Sequence, residues 1–124
     1  MTEDGTRREL APPALAVIDP KQERCSYPFP GICGGVVAYK LMTALAERTG
    51  SAELKDALEE LLEFAALSTV CDVMELKDEN RILVKEGLNR LRHTRNQGIR
   101  ALTEVNGIDS EKLSAYHLGF VIGP

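Results

Sequence analysis

The chain has 124 residues, of which 44% are hydrophobic and 27% charged, and its formal net charge is −4. This length suits one domain or part of one, and the hydrophobic content is sufficient for a core, so the composition excludes a disordered chain. The acidic balance argues against a uniformly basic nucleic-acid-binding protein.

Cysteine use and hydropathy indicate the compartment. The three cysteines form no C-x-x-C pair, and with only two histidines they make no recognisable zinc site. An odd cysteine count without a targeting pattern is typical of a reducing cytoplasm, and no stretch approaches the ~18 apolar residues of a membrane span. We expect a soluble, cytoplasmic protein that does not cross a membrane.

The N-terminal third predicts little regular structure. Residues 1–13 are polar and end in two prolines, which predicts an irregular segment. The apolar run at residues 14–18 stops at Asp19-Pro20 and predicts a short strand buried on both faces. Prolines at several positions in residues 19–31 then predict a loop.

Helical spacing of apolar residues begins after Gly34-Gly35. It predicts a first helix over residues 36–48 that Gly50 ends. A pair of glycines before a helix can bind phosphate, but the G-x-G-x-x-G and G-K-[ST] patterns are absent. The pair therefore indicates close packing of the helix.

A second helix is predicted from its N-cap, Ser51, to about Ser68. The apolar positions predict a buried stripe of Leu54, Leu58, Leu61, Leu62 and Ala65. The acidic positions predict a solvated face of Glu53, Asp56, Glu59, Glu60 and Glu63.

The C-terminal half predicts three more helical segments. One begins at Lys77 or Asp78, a short one ends at Asn106-Gly107, and the last spans residues 113–120 after a cap at Asp109 or Ser110. The chain is thus expected to be predominantly α-helical with one or two short strands.

Asp72 is the candidate functional residue, because Val70, Cys71, Val73 and Met74 surround this carboxylate with apolar side chains. A carboxylate in such surroundings needs a compensating partner. It could cap a helix or occupy a turn, or it could be one ligand of a hard cation such as Mg²⁺ or Mn²⁺. One carboxylate does not make a metal site, because a two-metal phosphoester site needs several converging ligands.

Residues 81–100 contain six basic residues and one acid, although residues 52–79 contain nine acids and two lysines. The basic side chains could bind phosphates or form a solvated helix face, and the segment has no aromatic residue to stack on a base. The candidate nucleic-acid-binding residues are Arg81, Lys85, Arg90 and Arg92. Neither histidine lies near a nucleophile at a catalytic spacing.

Read together, several segments resemble the RecJ family of single-stranded-DNA exonucleases, within the DHH phosphoesterase superfamily. They follow the family's order over nearly all of the chain after residue 10. The matching segments are residues 13–22, 25–29, 66–73, 79–88, 98–102 and 118–124, together with the glycine-rich start of the first helix.

The resemblance implies an α/β parent domain with a parallel sheet and flanking helices, of which residues 1–124 are the C-terminal portion. Asp72 stands at the position of a ligand of the catalytic Mn²⁺ or Mg²⁺ site. The implied reaction is metal-dependent hydrolysis of phosphodiester bonds in single-stranded DNA from the 5′ end, in DNA repair and recombination. The partner of the complete enzyme would be single-stranded DNA.

Two elements of the family are absent from the chain. The Asp-His-His motif would lie before residue 1, and an Arg-Leu-Asn-Ala-Ala-Gly-Arg-like segment would follow Pro124. We therefore expect an enzyme fragment that is inactive in isolation and self-associates through exposed apolar surface. The alternatives are another DHH phosphoesterase, acting on short oligonucleotides or cyclic dinucleotides, and a non-catalytic helical interaction module.

Overall fold

The computed structural model describes residues 12–124, and within this range the regular structure is helical, with no strand. Residues 1–11, which make up most of the predicted irregular segment, lie outside the described part. The helices are α1 (Gly34–Thr49), α2 (Ala52–Cys71), α3 (Asp78–Leu91), α4 (Gln97–Val105) and α5 (Ala115–His117). A 3₁₀ turn (Ser110–Lys112) precedes α5, and a π-helical turn (Leu118–Ile122) continues it.

The predicted helices α1 to α4 are confirmed, and their ends follow the local chemistry. The last predicted segment begins two residues later than expected, after Ser114, and its predicted cap is wrong because Asp109 caps the preceding 3₁₀ turn instead. Gly50 ends α1 in the left-handed region with φ of 67°, where glycine is favoured. Ser51 caps α2 by accepting a hydrogen bond of 3.2 Å from the Leu54 amide. Helix α2 continues three residues past Ser68, to Cys71.

The predicted strand at residues 14–18 is wrong. These residues form bends and irregular backbone, Leu15 is fully exposed and Ile18 is 57% exposed. A strand needs a hydrogen-bonded neighbour, and residues 12–124 supply none. The predominantly helical class is confirmed, and the parallel sheet of the parent domain stays a prediction.

Helix α2 lies between α1 and α3, and glycines allow both neighbours to approach it closely. A Cβ atom on Gly35 of α1 would overlap Ser68 Oγ and lie 2.8 Å from Ser68 Cβ. A Cβ atom on Gly87 of α3 would overlap Ala66 Cβ and lie 3.1 Å from the Leu62 carbonyl oxygen. Close packing is therefore confirmed at Gly35, whereas Gly34 faces open space.

Two buried clusters lie against α2. The first, near the start of α1, contains Ile32, Cys33, Val36 and Ala65. The second joins the end of α3, α4 and the C-terminal segment, and contains Leu91, Ile99, Leu113 and Leu118. Of the predicted α2 stripe, Ala65 is fully buried and the four leucines are half-buried. Helix α2 therefore connects both halves of the core.

Several large apolar side chains remain exposed. They include Leu41, Leu45, Phe64, Leu102, Val105, Tyr116 and Phe120. Such surface favours association, although self-association itself stays a prediction. Across the described residues, every helix falls short of the length and apolar character needed to cross a membrane.

The replacement Gly87→Ala tests the close packing of α2 and α3. The added methyl group would overlap Ala66, so we expect the free energy of unfolding to fall by about 2 kcal/mol, as in overpacked cores. Urea unfolding followed by circular dichroism measures the change. The control is Gly34→Ala, where the methyl group meets open space and stability should be nearly unchanged. Equal stability of the two variants would show that the helices do not pack this closely.

Candidate metal-ligand site

Asp72 lies at the C-cap of α2. The structure therefore agrees with the interpretation that this residue caps a helix. Its amide donates a hydrogen bond of 2.9 Å to the Ser68 carbonyl, which fixes the backbone. The prediction that this carboxylate needs a compensating partner is wrong, because its side chain is exposed to water. Among residues 12–124 the carboxylate has no hydrogen bond or ion pair. The negative end of the helix dipole lies beside it and favours a cation.

The turn after Asp72 has the hydrogen bonds of a Schellman motif. The Val73 amide donates to the Val70 carbonyl at 3.1 Å, and the Met74 amide donates to the Thr69 carbonyl at 3.0 Å. Val73 takes the left-handed position of this motif, with φ of 55°, where glycine is usual. The conformation costs a β-branched residue roughly 1–2 kcal/mol. Because Val73 is 88% exposed, burial of its side chain does not offset that cost.

Cys71 does not add a thiolate to this turn. Its thiol donates a 3.7 Å hydrogen bond to the Leu118 carbonyl oxygen. Burial, and secondarily the charge of Asp72, raises the pKa of the Cys71 thiol above its usual value. The thiol is thus already used as a hydrogen-bond donor to the C-terminal segment.

The donor chemistry at Asp72 fits a hard divalent cation, because an uncommitted carboxylate supplies the oxygen that Mg²⁺ and Mn²⁺ prefer. The set of metal-ligand donors is incomplete. Within residues 12–124, no group of three or more His, Cys, Asp and Glu residues could hold a metal ion. The described part of the chain thus offers one ligand of such a site.

A hollow of about 580 Å³ opens beside Asp72, between α1, α2 and the C-terminal segment. Its other walls are mainly apolar and include Tyr39, Met42, Phe64 and Ile122. The carboxylate therefore borders a recess large enough for a small group.

The four basic candidates on and after α3 do not form one surface. At 100° per residue, Arg81, Lys85 and Arg92 fall within about 40° of one another, and Arg90 points to the opposite side. Arg90 pairs with Glu59 at 3.1 Å. Arg92 donates from Nε and Nη2 to the Leu113 carbonyl, at 3.2 and 3.0 Å, so it is used in packing. Arg81 and Lys85 remain exposed.

The prediction that Glu63 faces water is wrong. This carboxylate is only 7% exposed, because the loop after α3 folds over it and the Thr94 hydroxyl donates to its Oε2. The rest of the acidic face of α2 is exposed, as predicted.

Sequence reasoning also missed an exposed aromatic pair. Tyr116 and Phe120 stack with centroids 5.2 Å apart, and they are 64% and 72% exposed. Their i, i+4 spacing was the available signal.

Curated relatives match almost the whole chain. A single-stranded-DNA-specific exonuclease RecJ from Dickeya dadantii is 43% identical over 94% of it, and the RecJ of Escherichia coli is 40% identical over 94%. The RecJ of Bacillus subtilis is 39% identical over 91%. The chain belongs to the RecJ family. It spans 22%, 22% and 13% of the length of these three RecJ proteins, in the order named. No protein-family model matches it.

The replacement Val73→Gly tests the strain beside Asp72 in this RecJ segment. Glycine adopts the left-handed conformation without a Cβ clash, so we expect the free energy of unfolding to rise by about 1 kcal/mol. Urea unfolding measures it. The control is Val105→Gly, at the exposed valine that ends α4, where glycine should lower stability by less than about 1 kcal/mol. Destabilisation by both changes would contradict the strained turn.

Proposed function

We propose that the chain is one part of a longer RecJ-type exonuclease that hydrolyses phosphodiester bonds in single-stranded DNA from the 5′ end. In this proposal Asp72 is one ligand of a catalytic Mn²⁺ or Mg²⁺ ion. The observation that carries it is the exposed carboxylate of Asp72, which has no partner within residues 12–124 although it ends a helix. The names of the matching relatives support the substrate class.

The cation, when bound, would supply a nucleophilic hydroxide and neutralise charge on the phosphate. The role of Asp72 is to hold that cation at the C-terminus of α2, where the helix dipole adds negative potential. The backbone hydrogen bonds of the turn fix the main-chain position from which the carboxylate extends.

The remaining ligands would come from other parts of the longer protein, because the described residues hold no cluster of three or more potential metal ligands. We therefore propose that residues 1–124 are the C-terminal portion of a DHH domain and are inactive alone. A DHH phosphoesterase acting on short oligonucleotides or cyclic dinucleotides would use Asp72 in the same way.

Two surfaces could contact the DNA. Arg81 and Lys85 are exposed, close together on α3, and without an ion pair in the described part of the chain, so they suit phosphates. The stacked pair Tyr116 and Phe120 offers an aromatic face to bases. The same two surfaces would also suit the alternative function, a non-catalytic module that binds single-stranded DNA.

The variant Asp72→Asn tests the ligand role, in a protein of the relatives' full length that carries this segment. Loss of the charged oxygen should lower Mn²⁺-dependent hydrolysis of single-stranded DNA by about 100-fold or more, without unfolding the protein. The matched control is Asp56→Asn, at another exposed aspartate of α2, and it should retain activity. Full activity of Asp72→Asn would refute the proposal.

The double variant Arg81→Ala, Lys85→Ala tests DNA contact. It should weaken binding of single-stranded DNA and reduce the slope of log K against log salt by about 1.4, with stability unchanged. Fluorescence anisotropy across a salt series measures the slope. Arg92→Ala should instead lower the free energy of unfolding by about 1–3 kcal/mol, because the Leu113 carbonyl loses its donors. An unchanged salt slope in the double variant would exclude these contacts.

A further inference from the structure

Asn80 joins two loops through its side chain. It lies in the first turn of α3 and is completely buried. Its Nδ2 donates to the Gly31 carbonyl at 2.8 Å and to the Glu75 carbonyl at 3.0 Å. Gly31 precedes α1, and Glu75 lies three residues after Asp72. One amide group therefore ties the Asp72 turn to the loop that begins α1.

The carbonyl oxygen of the Asn80 side-chain amide lies in an unfavourable environment. Its Oδ1 is buried without a hydrogen-bond partner in the described part of the structure. An unsatisfied buried carbonyl oxygen costs about 1–3 kcal/mol. An asparagine at this position is thus explained by the two bonds of its Nδ2, and not by burial alone.

The neighbouring residue, Glu79, holds a different part of the fold. It accepts a 2.6 Å hydrogen bond from the Tyr27 hydroxyl and pairs with Lys40 of α1 at 2.7 Å. These contacts join α3 to α1 and to the preceding loop, but they do not reach the Asp72 turn. Asn80 therefore attaches the turn to the start of α3, together with the Glu75–Lys77 ion pair and the packing of Met74 against the first core cluster.

The Asp72 turn needs such attachment because it is strained. Val73 occupies the left-handed region, and strained backbone persists only where the surroundings hold it. The Schellman hydrogen bonds hold the beginning of the turn, at Val73 and Met74. The Asn80 bond holds its end, at Glu75.

We propose that Asn80 is a positioning residue that holds the Asp72 turn in its strained conformation and so aims the Asp72 carboxylate at a bound cation. The inference rests on the proposed ligand role of Asp72 and adds a residue that acts through it. Asn80 touches neither the cation nor the substrate.

The first experiment measures amide hydrogen exchange by NMR in the 124-residue chain. In Asn80→Ala, protection of the Val73 and Met74 amides should fall about tenfold further than protection in the middle of α2. The control is Thr103→Ala, which removes another buried polar side chain, in α4. It should lower protection without singling out the turn. A uniform loss in Asn80→Ala would overturn the proposal.

If Asn80→Ala alone does not fold, the double variant Asn80→Ala, Val73→Gly is measured instead. Glycine removes the strain, so the fold should return and protection at Met74 should approach that of Val73→Gly alone. A double variant that stays unfolded would show that Asn80 stabilises the core generally and would overturn the positioning role.

The second experiment adds Mn²⁺ to a protein of the relatives' full length that carries this segment, in which the other proposed ligands are present, and follows paramagnetic broadening of the amide resonances around Asp72. The protein with its own sequence should show local broadening, Asp72→Asn should abolish it, and Asn80→Ala should require about tenfold more Mn²⁺. If Asn80→Ala does not fold, the comparison is made between Val73→Gly and the double variant Asn80→Ala, Val73→Gly. Broadening that persists in Asp72→Asn refutes the ligand role. Broadening that depends on Asp72 but not on Asn80 overturns the positioning role alone.

Discussion

The close approach of α1 and α3 to α2 is the constraint on which the rest of the structure depends. At two points the neighbouring backbone comes so near that only glycine fits, with Gly35 against Ser68 and Gly87 against Ala66. Packing at this distance fixes the C-terminal half of α2, where both contacts lie. It therefore also fixes the point in space where α2 ends, which is the position of Asp72.

The end of α2 combines a rigid backbone with an uncommitted side chain. The Schellman hydrogen bonds and the Asn80 amide hold the turn, and Val73 is strained within it. The carboxylate of Asp72 has no partner among the described residues, whereas the thiol of Cys71 donates to the Leu118 carbonyl oxygen. Such an arrangement suits a residue that contributes one oxygen ligand to a site completed elsewhere.

The sequence predicts the local features well because their causes are local. Ser51, Gly50 and the apolar spacing of α1 to α4 specify helices that the structure confirms, although α2 runs three residues past its predicted end. The strand at residues 14–18 was wrong because a strand depends on a partner that its own pattern cannot supply. The prediction that Glu63 faces water is wrong because the loop that covers it lies about thirty residues further along the chain. Asn80 gave no signal, since its partners are backbone carbonyls that a sequence does not mark. The ligand role of Asp72 came from the family resemblance, and it stays a prediction.

The most direct measurement is a crystal structure, with Mn²⁺ and anomalous diffraction, of a full-length RecJ-type protein that carries this segment. Our account predicts an anomalous peak within about 2.0–2.3 Å of an Asp72 carboxylate oxygen, with Val73 still in the left-handed region and Asn80 still bonded to Gly31 and Glu75. A manganese site that excludes Asp72 would contradict the account, even if the helices pack as described.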